Sequence, residues 1–332
     1  AQTSADRYTY FPLVGIFIII VWGGANIILA KPALRNFAIG GLGIWLLLLS
    51  SLSYQQAQTW HDSESVWRQA IAVTKGNYTA QANLGGELAT QGRNSEAESA
   101  LHEAIRIAPA DINAYVMLAG LYLQEGAVDR SLQSSEFALR LNPGFPAALA
   151  VHANALIAKK RYAEAERDLQ ECLRHDSVSW LFPASLGDVL ELQGKTAEAL
   201  AAYEEGLSRS PNEPYILYKM ALAKEKAGAA AEAEQLLSRA LAHSPEYAEA
   251  LGAMSRLKAK SGYPREALEL AIRACSLTHD RDLRLLLVLA EARLANGETK
   301  EAVRIGEKLL AHAPPNDKDF KSDVEALLAR AR

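Results

Sequence analysis

Cysteine is nearly missing from this chain: two in 332 residues, too few for a disulfide scaffold. Basic charge shows no excess either. There are 35 Lys and Arg against 39 Asp and Glu, a formal net charge of −4, which argues against a nucleic-acid-binding surface. Long apolar runs are lacking beyond residue 55, where the chain is rich in Ala, Leu and Glu. An initiator Met is lacking too. The chain opens Ala-Gln-Thr-Ser-Ala, as expected of the tail of a longer polypeptide or of a processed one. Against these absences stand 49% apolar and 22% charged residues, a balance that excludes wholesale disorder.

The apolar runs that do exist lie near the start. Residues 11–30 carry no charge and one amide, Asn26, and residues 37–53 again carry no charge. A helix needs roughly 20 apolar residues to cross a bilayer, so both runs are expected to span one. A secretory signal is the competing reading of the first run, but the run is too long and no basic segment precedes it. The short connection holds Lys31 and Arg35 and no acid, and basic short loops stay on the cytoplasmic side. The N-terminal edge and everything after residue 54 then lie on the far side. That side is the periplasm for a protein of the inner membrane of a bacterium, and the lumen for one of the ER membrane. Glycines 23, 24, 40, 41 and 43 fall inside these runs without GxGxxG spacing, and small residues there let membrane helices approach closely. Asn26 reads as interhelical glue, and Trp45, Tyr54 and Trp60 as interface or packing aromatics.

From residue 78 onward the sequence repeats itself. A turn glycine stands at Gly92, Gly126, Gly194, Gly228, Gly262 and Gly297, spaced by 34 and finally 35, with Lys160 alone departing from the column. Seven residues before each turn comes Gly85, Ala119, Ala153, Gly187, Ala221, Ser255 or Ala290; five after it comes Ala97, Ser131, Ala165, Ala199, Ala233, Ala267 or Ala302. Small residues on both sides of a turn let two antiparallel helices touch. Pro109, Pro143, Pro211, Pro245 and Pro314 recur seventeen residues past the turn, where proline stops a second helix. The pattern resembles tetratricopeptide repeats, whose period is 34 residues.

The fold class expected is therefore all-α: a transmembrane helical hairpin followed by a right-handed tetratricopeptide-repeat α-solenoid. Its division is 1–10 exoplasmic edge, 11–54 two transmembrane helices, 55–77 linker and half-repeat helix, 78–316 seven repeats, and 317–332 C-terminal capping helix. In the half-repeat, Trp67 and Ala70 take the packing places. A stacked array needs such terminal caps for solubility.

Several motifs dissolve into this period. Gly194-Lys195-Thr196 resembles the end of a phosphate loop, but Val189 stands where its first glycine belongs. Cys172 and Cys275 fall on the packed face of second helices as buried thiols. Glu204 and Glu205 read as solvated helix surface. The histidines are scattered without metal-ligand spacing, no nucleophile–base pair occurs in the repeats, and no cofactor is implied. Asn77-Tyr78-Thr79 is a formal N-glycosylation sequon that matters only in a eukaryotic lumen.

What the repeats offer is a concave face built from first helices. By phase it is lined by Val116, Gly120, Asn154, Asp188, Glu191, Tyr215, Tyr218, Leu222 and Arg256, a mixture suited to an extended peptide or a partner helix. The basic and amide cluster by which some tetratricopeptide domains hold a chaperone's C-terminus is missing: Ala82, Val116 and Ala150 occupy the matching places. The groove also fits a plainer role, packing against other parts of its own protein.

Asp6-Arg7-Tyr8-Thr9-Tyr10-Phe11-Pro12, entering an apolar run and followed by Trp60, Trp67 and the repeats, resembles the protein O-mannosyltransferases that carry transmembrane segments and tetratricopeptide repeats. The resemblance implies a polytopic glycosyltransferase that uses a lipid-phosphate sugar, with catalytic acids in a loop this chain does not contain. Chemically, the Arg7 guanidinium can fork onto a phosphate while Asp6 positions it, so Asp6, Arg7 and Tyr8 are candidates for a lipid-phosphate site. Against this stands an Asp–Arg pair that merely anchors a helix end. A membrane-anchored scaffold for envelope assembly, without enzymatic activity, is the rival reading of the whole, and a repeat-fused polymerase or ligase of lipid-linked glycans a third.

Overall fold

The computed structural model describes residues 35–58, 62–314 and 317–331, and every regular element among them is helical. The run 11–30, Trp60 and the Asp6–Arg7–Tyr8 segment lie outside the described residues. The chain divides into two compact units, 1–109 and 110–332.

The first unit holds α1 (Arg35–Gln58), α2 (Ser63–Val73), α3 (Tyr78–Thr90) and α4 (Asn94–Ile107). The uncharged run 37–53 lies within α1. Among the described residues no helix is long and apolar enough to cross a membrane, and the first run of the expected hairpin lies outside the described residues. Helix α2 starts on Asp62, whose carboxylate accepts from the Ser65 amide at 2.7 Å, and α3 on Asn77, whose side chain accepts from the Ala80 amide at 3.0 Å. Each cap satisfies an orphan donor of the first turn. Helices α3 and α4 touch closely at Gly85, where a Cβ would meet Leu101 Cγ at 2.6 Å, opposite fully buried Ala97. Trp67 and Ala70 of α2 are only half-buried, and α2 has no fully buried residue.

The second unit is a run of antiparallel helix pairs: α5 (Ile112–Gln124) with α6 (Val128–Leu141), α7 (Pro146–Ala158) with α8 (Tyr162–His175), α9 (Leu181–Leu192) with α10 (Thr196–Arg209), α11 (Pro214–Lys226) with α12 (Ala230–His243), α13 (Ala248–Lys260) with α14 (Pro264–Leu277), and α15 (Leu283–Ala295) with α16 (Thr299–His312). Helix α17 (Lys318–Ala331) follows, burying Phe320, Val324, Leu327 and Leu328 against Leu287 and Leu309. The arrangement is an all-α solenoid.

One local device makes the pairs. Each turn glycine has φ between 75° and 84°, a left-handed conformation that glycine enters without steric cost. The amide after it bonds back to the third-last carbonyl of the first helix, as in Ala127 N to Tyr122 O at 2.8 Å and Glu298 N to Arg293 O at 2.8 Å. This Schellman closure caps the orphan carbonyls of the helix. Lys160, the exception in sequence, follows the same geometry with φ 60° and the Arg161 N to Leu156 O bond at 2.9 Å. The turn is thus set by packing of the pair rather than by glycine alone.

Both small-residue columns are buried throughout, from Ala119 and Ser131 to Ala290 and Ala302. Second helices stop two residues before Pro109, Pro143, Pro211, Pro245 and Pro314. The one inserted residue near 278–282 is absorbed by two successive left-handed residues, His279 (φ 51°) and Asp280 (φ 55°), after which Asp282 caps α15 through the Arg284 and Leu285 amides. Cys172 and Cys275 are buried free thiols, pushed up by burial to about 12 and about 11, and the thiolate is the reactive form.

A candidate partner-binding face on the first helices

The candidate face lies in the second unit, on α5, α7, α9, α11 and α13. Side chains three, four and seven apart share one side of a helix, so Tyr215, Tyr218 and Leu222 of α11 line up. Asp188 and Glu191 do the same on α9.

Asp188 is the hub. Its carboxylate accepts from the Tyr203 hydroxyl at 2.8 Å and the Tyr215 hydroxyl, and pairs with Lys219 Nζ at 2.8 Å. Tyr203 reaches it from the second helix α10 because Gly187 leaves room: a Cβ there would meet Tyr203 Cδ1 at 2.6 Å. Burial first, then the negative charge of Asp188, pushes the Tyr203 phenol well above the ordinary tyrosine range; Tyr215 is raised by burial and by its bond to Asp188. Both stay neutral donors, and the hub joins two consecutive pairs.

Beside it Tyr218 packs edge-on against Tyr247, ring centroids 5.4 Å apart, a favoured aromatic geometry. Leu222 rests on the same cluster. Both phenols are raised mainly by burial. Glu191 has one carboxylate oxygen buried with no hydrogen-bond partner among the described residues. Arg256 of α13 stands near Tyr218, whose phenol its charge lowers in opposition to burial.

Of the residues expected on this face, the structure links Asp188 directly to Tyr215 and sets Arg256 near Tyr218. Val116 and Gly120 sit half-buried on α5 and Asn154 exposed on α7. A Cβ at Gly120 would meet nothing within 4 Å. Sequence phase missed Lys219, Tyr203 and Tyr247. Lys219 lies four residues after Tyr215, a spacing that signals one helix face. Tyr203 is signalled by Gly187, a glycine in a column otherwise held mostly by alanine. Tyr247 precedes the first turn of α13 and gave no periodic signal. Among the described residues no group of three or more His, Cys, Asp and Glu side chains is placed to hold a metal.

A family profile described as tetratricopeptide repeat matches residues 48–112 and 150–214, and a second with the same description matches 190–257. The protein O-mannosyl-transferase Tmtc2 of Drosophila melanogaster is 33% identical over 111 residues, covering 33% of this chain and 12% of that protein. The cytochrome c-type biogenesis protein CycH of Rhizobium meliloti is 34% identical over 108 residues, covering 31% of this chain and 28% of that protein. The matches thus span less than a third of the length of either curated relative. Among solved structures, the APC/C hetero-tetramer Cut9–Hcn1 superposes with a TM-score of 0.66 at 14% identity, over 81% of this chain and 52% of the matched one. That likeness is one of fold.

Proposed function

Because the chain belongs to the tetratricopeptide-repeat family, we propose that its first-helix face holds an extended segment of a protein partner. The observation that carries this is the half-buried row of Asp188, Tyr215, Tyr218 and Leu222, an aromatic and polar strip with its own hydrogen bonds already made. Such a strip is rigid before anything binds, and a prearranged surface loses little entropy on binding. A photoreactive phenylalanine at Tyr218 in the full chain, in its native membrane, should cross-link one discrete partner. The same probe at Gln235 on α12 should not. Equal labelling at both places, or none at Tyr218, rules the face out.

The apolar stretch before residue 59 anchors this domain to a membrane in the same proposal. The basic connection at Lys31 and Arg35 stays cytoplasmic, and the repeats lie on the far side. Similarity to Tmtc2 supports placing the chain in a larger O-mannosyltransferase-like protein, in which Asp6, Arg7 and Tyr8 would meet a lipid phosphate. Similarity to CycH supports the other reading, a membrane-bound assembly scaffold without transferase activity. A fluorescent reporter active only in cytoplasm should stay dark after Arg332 and shine between Lys31 and Arg35. The reverse pattern sinks the topology and the transferase reading with it.

A further inference from the structure

At the end of the second unit a pocket of about 440 Å³ opens between α13, α15 and α17, walled by Val288, Ala292 and Leu294 and rimmed by Arg256, Lys260, Glu291 and Arg330. Its size falls in the range of small-ligand and side-chain sites, ~300–1,000 Å³. The rim charges are not equivalent. Lys260 is held by Glu225 at 2.6 Å, and Arg330 lies 3.5 Å from Glu291. Arg256 has no hydrogen bond or ion pair among the described residues. Ser255 beside it is spent on the Ala267 carbonyl at 2.7 Å. The pocket thus presents one uncommitted guanidinium against apolar walls.

Three basic side chains, Arg256, Lys260 and Arg330, share the rim with one carboxylate, Glu291, so the rim is biased toward positive charge. Burial raises the Glu291 carboxyl against the pull of Arg330, Arg256 and Lys260. A planar guanidinium offers paired donors that match a carboxylate. Tyr218, which packs edge-on against Tyr247, feels the charge of Arg256, and Arg256 belongs to both the expected first-helix face and the pocket rim.

We infer that this pocket receives the side-chain carboxylate of an acidic residue in the partner segment, with Arg256 as its principal contact. The inference rests on the peptide-binding reading of the first-helix face and names the partner's chemistry: an acidic residue beside an apolar or aromatic one. The place is the cap-proximal end of the second unit, on α13, α15 and α17, whereas Val116 and Ala150, two of the places where a basic and amide cluster is missing, lie on α5 and α7.

The test is a random nonapeptide library displayed with its C-terminus fused to a coat protein, so that only side-chain carboxylates count, selected on the full chain in detergent micelles. Wild type should enrich Asp or Glu about tenfold at one position next to an apolar residue, the factor expected for one charge-assisted contact. Arg256→Gln should abolish the acidic preference, Arg256→Lys should keep part of it, and Arg256→Glu should turn it toward Lys and Arg, with melting unchanged in all three. Acidic enrichment that persists in Arg256→Gln overturns the inference. So does enrichment without acids that is lost in Tyr218→Ala, although that result leaves the peptide-binding face standing. Failure of wild type to enrich any sequence removes both.

Discussion

Helices α1 and α15 are both rich in leucine, yet they meet opposite fates. In α15, Leu285 and Leu287 are 5% and 8% exposed; in α1, Phe37 and Leu47 are 82% and 73% exposed. Composition does not separate them. What separates them is a partner: α15 has the small-residue column of α16 on one side and the apolar face of α17 on another. Helix α1 carries glycines 40, 41 and 43, and a Cβ at any of them would meet nothing within 4 Å. An apolar helix becomes core only where a second surface of complementary shape exists. Among the described residues α1 meets no such surface, and its exposed apolar side chains support the proposal that this stretch lies against a membrane.

The comparison breaks most directly at leucine. Leu287→Ala should cost ~2–5 kcal/mol of repeat stability, as large-to-small changes in a packed core do. Leu47→Ala should leave the repeat melting transition where it was. Thermal unfolding of the full chain in detergent, followed by far-UV circular dichroism, reads both. A loss of repeat stability in Leu47→Ala would mean that α1 packs on the repeats after all.

A smaller effect separates two glycines of the second unit. Gly187→Ala forces a Cβ to within 2.6 Å of the Tyr203 ring, and because that ring is fully buried and tied to Asp188, overpacking should cost ~1–3 kcal/mol. Gly120→Ala meets open space within a helix and should stabilise by ~0.5–1 kcal/mol through helix propensity. Urea midpoints at constant m-value measure the difference. Equal shifts would show that the two glycines are alike and that close contact at Gly187 is not what the column selects.

Much of the helical architecture was readable because it repeats. The turn glycines, the two small columns and the terminating prolines each constrain the same residues, and independent columns in phase leave little freedom to the backbone. Lys160 was unreadable in that scheme: a lysine at a left-handed position is disfavoured by its own Cβ, and only the closing hydrogen bonds of the completed pair hold it there. The candidate face was legible as a set of positions and illegible as a network. Asp188 and Tyr215 were named by phase, but Tyr203 enters from a second helix and Lys219 from a position that phase left unassigned.

The sequence by itself determined which segments pair and which small residues meet at each turn, because these depend on period, on side-chain volume and on backbone chemistry that act over a few residues. Only the tertiary structure decided which charges are committed and which are free. Asp188 is saturated by three donors, Lys260 is held by Glu225, and Arg256 is left uncommitted at the pocket rim. Those outcomes depend on distances of 2.6–3.5 Å between side chains from different helices. Electrostatic partnership falls off over such distances, and no local pattern encodes them.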